Sequence, residues 1–109
     1  MEHLNKVHLR GIVGRVSIFN VCKDGRIARL AVVTTRAYRD ETGNAIMENT
    51  WHNVLVSESD GSGFLDKLTN GVAVDLTGRL RTIKYTDESG TERNMHEVVA
   101  NELHIVNPD

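Results

Sequence analysis

The residues with the most chemical content lie in one run, Arg79-Leu80-Arg81-Thr82-Ile83-Lys84-Tyr85-Thr86-Asp87. Leu80 alternates with Arg79 and Arg81, so an extended backbone puts an apolar side chain on one face and two guanidinium groups on the other. Tyr85 has the parity of Arg79 and Arg81. Without a bulge the phenol and both cations line one face, an arrangement that suits a stacked base and its phosphate. The same pattern also fits a solvated strand face with a packing tyrosine.

Residue types that do covalent or acid–base chemistry are present but not assembled. His3, His8, His52, His96 and His104 include no spaced pair of the zinc-hydrolase kind, and His96-Glu97 has no cysteine pair to complete a deaminase site. Ser57, Ser59 and Ser62 lack a nucleophile-elbow motif. Gly11-Ile12-Val13-Gly14 has neither the spacing nor the Lys-Ser/Thr pair of a phosphate-binding loop. The carboxylates of Asp40-Glu41, Glu58, Asp60 and Asp87-Glu88 are expected in solvated turns. Cys22, the only cysteine, excludes an internal disulfide and any multi-cysteine metal site. A binding module is therefore expected rather than an enzyme, with no cofactor and no metal.

A net charge of −2 does not advertise a partner, but the signs are unevenly placed. Nine of the 13 basic residues are arginine, and eight of these fall in or beside strand-like segments. Local potential along a groove, not the sum, decides phosphate binding. The longest apolar runs are a few residues, so neither a membrane span nor a signal peptide is expected.

The elements that must position these groups read as strands. Asn5 to Val16 alternates, with Val7, Leu9, Gly11 and Val13 against Lys6, His8, Arg10, Ile12 and Gly14. Gly11 and Gly14 interrupt it, as glycine does at a bulge or a barrel corner. Lys23-Asp24-Gly25-Arg26 reads as a hairpin turn after a continuation through Cys22. Ile27 to Tyr38 is the second strand, with Leu30, Val32 and Thr34 on one parity. Arg39 to Asn49 reads as a long projecting loop. Thr50 to Ser57 is the third strand, with Val54 and Val56 inward and Trp51, Asn53 and Leu55 opposite. After a loop from Ser57 to Gly63, Phe64, Leu65 and Leu68 stand at helical spacing. Val72 to Arg81 is the fourth strand, followed by a hairpin around Glu88-Ser89-Gly90. Glu97 to Val106 is the last, with Val98, Ala100, Leu103 and Val106 inward. At 109 residues these elements make one domain, residues 1–109. Five strands with a short helix between the third and fourth, and long hairpin loops, close most naturally as an all-β Greek-key barrel of the oligonucleotide/oligosaccharide-binding (OB) type. Alternation alone also allows another small barrel or a sandwich.

Several stretches also resemble bacterial single-stranded DNA-binding proteins. Asn5-Lys6-Val7-x-Leu9-x-Gly11-x-x-Gly14 is similar to the family's opening strand, and Thr50-Trp51-His52-Asn53-Val54 to its third-strand motif. Tyr38-Arg39-Asp40 stands where the family has an aromatic before Arg-Asp. Gly78-x-Leu80-Arg81-Thr82-x-Lys84-Tyr85-Thr86-Asp87, with Gly90, Arg93 and Glu97-Val98-Val99, is similar to its fourth strand and long hairpin. The resemblance implies an OB-fold module that binds single-stranded DNA with little sequence preference during replication, recombination or repair. It places Tyr38, Trp51 and Tyr85 where aromatics stack on bases, and Lys6, Arg39, Arg81 and Lys84 at or beside backbone contacts. Arg36 and Arg79 join them by strand parity and proximity. His52 falls at a residue associated with the subunit interface, where His8 and Ile12 could add contact surface. A homotetramer is expected, with a dimer as the fallback.

Departures from the pattern bear on strength. Ser57 stands where the family often has phenylalanine, Ile83 where a second arginine is expected, and Asn70 where lysine is common. One stacking platform and two cations are thereby missing. The flexible extension with an acidic tip, which recruits replication and repair proteins, is not found before Asn107-Pro108-Asp109. Such partners remain possible, and an alternative is a tail-less primosomal or plasmid-type accessory protein acting mainly through protein contacts. The expected location is cytoplasmic, with the nucleoid.

Overall fold

The alternating runs fold as five long strands around one apolar interior. The structure is a computed structural model, and it describes residues 1–22, 25–58 and 63–106. The strands are β1 (Val7–Cys22), β2 (Gly25–Arg39), β3 (Ala45–Glu58), β4 (Ala73–Thr86) and β5 (Glu92–Ile105), with a short 3-10 helix at Phe64–Lys67. They close into a barrel in the order β1-β2-β3-β5-β4, with β4 returning to pair with β1. All neighbours are antiparallel except β3 and β5. The hairpin turn expected at Lys23-Asp24, loop residues 59–62 and residues 107–109 lie outside the described residues.

Period-two alternation sorts the side chains. Val13, Leu30, Val32, Val54, Val56, Val74, Leu76, Val98 and Leu103 are buried inside, and Leu65 and Leu68 add two of the largest fully buried side chains from the helix segment. Glu58 is a correction to the solvated-turn expectation. It ends β3 almost fully buried, accepts from the guanidinium of Arg26 at 2.9 and 3.0 Å, and receives the Leu65 N–H at 2.9 Å. Arg26 also reaches Asp66 at 3.0 Å, so this carboxylate fastens the helix to the β2–β3 edge.

Two irregularities re-aim side chains. In β1, Val13 pairs with Val32 but Val16 pairs with Leu30, so Gly14 and Arg15 together oppose Ala31 in a β-bulge. Just before it, a Cβ on Gly11 would overlap the carbonyl oxygen of Val33, so β1 approaches β2 more closely than any side chain permits. On the β4–β5 ladder, Thr77 pairs with Glu102 and Gly78 with Ala100, leaving Asn101 extra. That residue reverses the inward parity of β5. Val98 and Ala100 face the core on one side of it, and Leu103 and Ile105 on the other, so Ile105 takes the inward place expected for Val106.

The hairpins are more regular than their polar sequences imply. β2 and β3 stay paired out to Arg39 and Ala45, so the expected loop from Arg39 to Asn49 shrinks to residues 40–44. β4 runs past Arg81 to Thr86, paired with Glu92. Each turn is pinned by one aspartate. Asp40 accepts from the Thr42 hydroxyl at 2.8 Å and from the Asn44 N–H at 2.9 Å, which holds its carboxyl below the usual range. Asp87 accepts from the Ser89 hydroxyl, from Arg93 and from the Thr91 N–H, and is pulled down to about 2. Among the described residues no helix is long and apolar enough to cross a membrane.

Candidate nucleic-acid interface

The site is built from which strand residues face outward. On β4 the ladder is unbroken from Gly78 to Thr86, so Arg79, Arg81, Ile83 and Tyr85 share one face, as their parity requires. Leu80 points the other way with buried Val98 as its cross-strand partner. The Asn5 amide pairs with both backbone groups of Leu80, donating at 2.6 Å and accepting at 2.9 Å. This clip lays Lys6 alongside the basic run.

Arg81 is not a free cation. Its Nη2 and Nε donate to Oε1 of Glu97 at 2.8 and 3.1 Å, and Glu97 is 1% exposed although it lies on the outward face of β5. Arg29 of β2 approaches the other oxygen at 3.9 Å. The carboxylate thus lies beneath two arginines and holds Arg81 in place. Arg81 keeps donors on Nη1 for a second anion. Among the described residues, Lys6, Arg15, Arg79 and Lys84 have no ion pair.

Trp51 projects from the outward face of β3 and is 61% exposed. Its ring reaches across β2 to the bulge in β1. A Cβ on Gly14 would meet Cζ3 at 2.5 Å and Cη2 at 2.9 Å, so only glycine lets the indole lie there. Gly14, Arg15, Ala31, Trp51 and Asn70 line an open recess of about 570 Å³ beside the ring. Stacked on one side and open on the other, the indole is a preformed platform with a cation, Arg15, at its edge.

The remaining candidates divide between two faces. Arg39 has the parity of the outward face, and its Nη1 donates to the Gly43 carbonyl at 2.9 Å, across the tip of the hairpin. Arg36 and Tyr38 lie on the opposite face of the β2–β3 ribbon, with the guanidinium carbon 5.2 Å from the ring centroid, a cation–π contact. Lys84 likewise lies opposite Arg81 and Tyr85. Trp51, Arg79, Arg81, Tyr85 and Arg39 therefore share outward parity. Tyr38, Arg36 and Lys84 would meet a strand only where it passes over a hairpin.

The three interface candidates do not form one patch on the protomer. His8 is on the outward face of β1, where it and Arg10 bond Asp75 at 2.8 and 2.9 Å and hold that carboxyl below its usual range. Ile12 stands in the cross-strand row Ile12–Val33–Trp51, next to the stacking face. His52 lies on the inward-facing side of β3, its Nε2 2.9 Å from the Thr34 hydroxyl. Sequence reasoning missed Arg15, Arg29 and the role of Glu97. The glycine at position 14 was the one signal that something crosses β1 there. Among the described residues no cluster of three His, Cys, Asp or Glu could hold a metal ion.

A closed five-stranded barrel in this order, with an outward face of arginines and exposed rings, defines an OB-type module. The sequence matches the profile of the Single-strand binding protein family over residues 4–106, and the chain belongs to that family. It is 30% identical over 104 residues to the single-stranded DNA-binding protein of Neisseria meningitidis serogroup A, and 32% identical over 104 residues to that of Xanthomonas campestris pv. campestris. Each match covers 94% of this chain and 60% of the relative, so the chain spans about three-fifths of those proteins' length. In fold it is similar to the Plasmodium falciparum SSB solved in complex with ssDNA, with a TM-score of 0.85, 24% identity and 98% of both chains covered. It is also similar to a deletion mutant of the single-stranded DNA binding protein from Thermus aquaticus, with a TM-score of 0.79, 21% identity, and 95% of this chain and 51% of that one covered.

Proposed function

We propose that this barrel binds single-stranded DNA with little sequence preference and shields it during replication, recombination or repair. The observation that carries the proposal is Trp51, an indole exposed on one side, seated on Gly14 on the other, and bordered by Arg15. Every base offers a π-face, so a fixed aromatic platform tolerates sequence, while arginines and lysines follow the phosphates. Membership in a family whose relatives are named for single-stranded DNA supports it. No catalytic step is proposed; the chemistry is stacking and ion pairing. Because one barrel offers a short groove, of about 4–16 nucleotides, several barrels sharing one strand bind it more tightly. A cytoplasmic homotetramer is the proposed working form.

Titration of Trp51 fluorescence with oligo-dT at two salt concentrations tests the proposal. Strong quenching is expected, with log affinity falling by about 0.7 per phosphate contact for each unit of log salt. Trp51→Ala or Tyr85→Ala should each weaken binding by about 1–3 kcal/mol. Unquenched emission with no gel shift would instead favour an accessory protein working through protein contacts.

A further inference from the structure

We infer that Phe19 is a further stacking platform for the bound strand, on the same outward face as Trp51 but at the far end of β1; this rests on the proposed binding of single-stranded DNA. β1 pairs with β2 so that Ile18 meets Ala28, Phe19 meets Ile27 and Ser17 meets Arg29. Ala28 is fully buried, so Ile18 faces the interior and Phe19 faces out. β2 continues the row into β3, where Ile27 meets Ser57. Ser57 is too small to cover the phenyl ring, and Phe19 stays 49% exposed at the end of its row. An aromatic ring left half in water on a strand loses little of its packing if a base covers it, and a stacked base buries both surfaces.

Position makes the strand the fitting occupant. Ile27 and Val33, the β2 partners of Phe19 and Trp51, are six residues apart, or roughly 20 Å of strand. Between the two rings the outward positions of β1, β2 and β3 are Ser17, Arg15, Arg29, Ala31, Leu55 and Asn53. They supply two arginines and no carboxylate. The nearby acid, Glu97, is buried beneath Arg29 and Arg81. An apolar ring at each end with cations between them matches a polyanion whose bases are exposed. The phosphates run over Arg15 and Arg29 while bases stack at the ends.

The experiment uses the full chain and an oligo-dT length series. Phe19→Leu keeps an apolar side chain and removes the flat ring. It is expected to weaken binding about tenfold for oligonucleotides long enough to reach both rings, and to leave unchanged those of about four nucleotides that Trp51 alone can hold. Phe19→Trp in a Trp51→Phe background supplies a reporter, and its emission should be quenched only by the longer oligonucleotides. Equal affinity of Phe19→Leu and the unaltered chain at every length, while the unaltered chain quenches normally, overturns the Phe19 platform alone. A fall in particle mass by light scattering with unchanged affinity per barrel also overturns it, and assigns Phe19 to a contact between copies. An unaltered chain that fails to bind oligo-dT overturns the inference together with the proposed function.

Discussion

Replacing Arg81 with alanine should destabilise the barrel before it reports anything about DNA. Glu97 is 1% exposed and takes two charge-assisted hydrogen bonds from Arg81; what remains afterwards is Arg29 at 3.9 Å, beyond hydrogen-bonding distance. Breaking a fully buried pair from one side costs about 3–5 kcal/mol. Arg81 itself is 40% exposed, so water can enter where its guanidinium stood, and the expected loss is reduced to about 1–3 kcal/mol. In a domain of this size that is a fall in melting temperature of about 4–8 °C for each kcal/mol. Arg79→Ala, which removes a cation without an ion pair, should stay within about 0.5 kcal/mol. Adding Glu97→Gln to Arg81→Ala should restore part of the loss, because a neutral amide is less costly to bury than an unpaired carboxylate. Urea unfolding of the four chains, the unaltered one included, measures this. Equal midpoints for Arg79→Ala and Arg81→Ala would refute the buried-anchor reasoning. It would also make Arg81→Ala a clean probe of phosphate binding.

Other consequences are separable. Arg79→Ala and Lys84→Ala should each flatten the salt dependence of oligo-dT binding by about 0.7, read by titration at a series of salt concentrations. An unchanged slope removes that side chain from the phosphate path. Gly14→Val must lift the Trp51 ring, so it should shift Trp51 emission and weaken oligo-dT binding while the far-ultraviolet circular dichroism stays that of the barrel. Asp87 titrates at about 2 against an ordinary 3.8. Its grip on the β4–β5 turn is therefore complete above about pH 4 and lost as pH falls through 2. Protection of the Ser89 and Thr91 amides against exchange, measured relative to the unstructured-chain rate at each pH, should fall over that window and do so less in Asp87→Asn.

The barrel was legible because its interior is sorted by parity alone. Leu30, Val32, Val54, Val56 and Val98 all face where alternation put them. Parity failed at Val106, because one unpaired residue, Asn101, reverses every side chain after it, and nothing in Ala100-Asn101-Glu102 marks a bulge. The hairpins read short in the sequence for a related reason. Their outer halves extend beyond the core and carry polar side chains on both faces, so they read as loops although their backbone ladder is intact.

The candidate site was legible in its residue types but not in its pairing. Parity placed Tyr85 beside Arg79 and Arg81, yet it treated all three as equally available. Glu97 lies 16 residues away and meets Arg81 only because β4 and β5 form a hairpin in that register. Arg81, one of the cations expected at the phosphates, is already held by a carboxylate, whereas Arg15, which sequence reasoning left aside, borders the exposed indole. Net charge could not reveal this, since it counts Glu97 as it counts the exposed acids. Burial removes that carboxylate from the surface and spends its charge on orienting Arg81. The outward face of β1 to β3 is therefore more positive than a chain of net charge −2 implies.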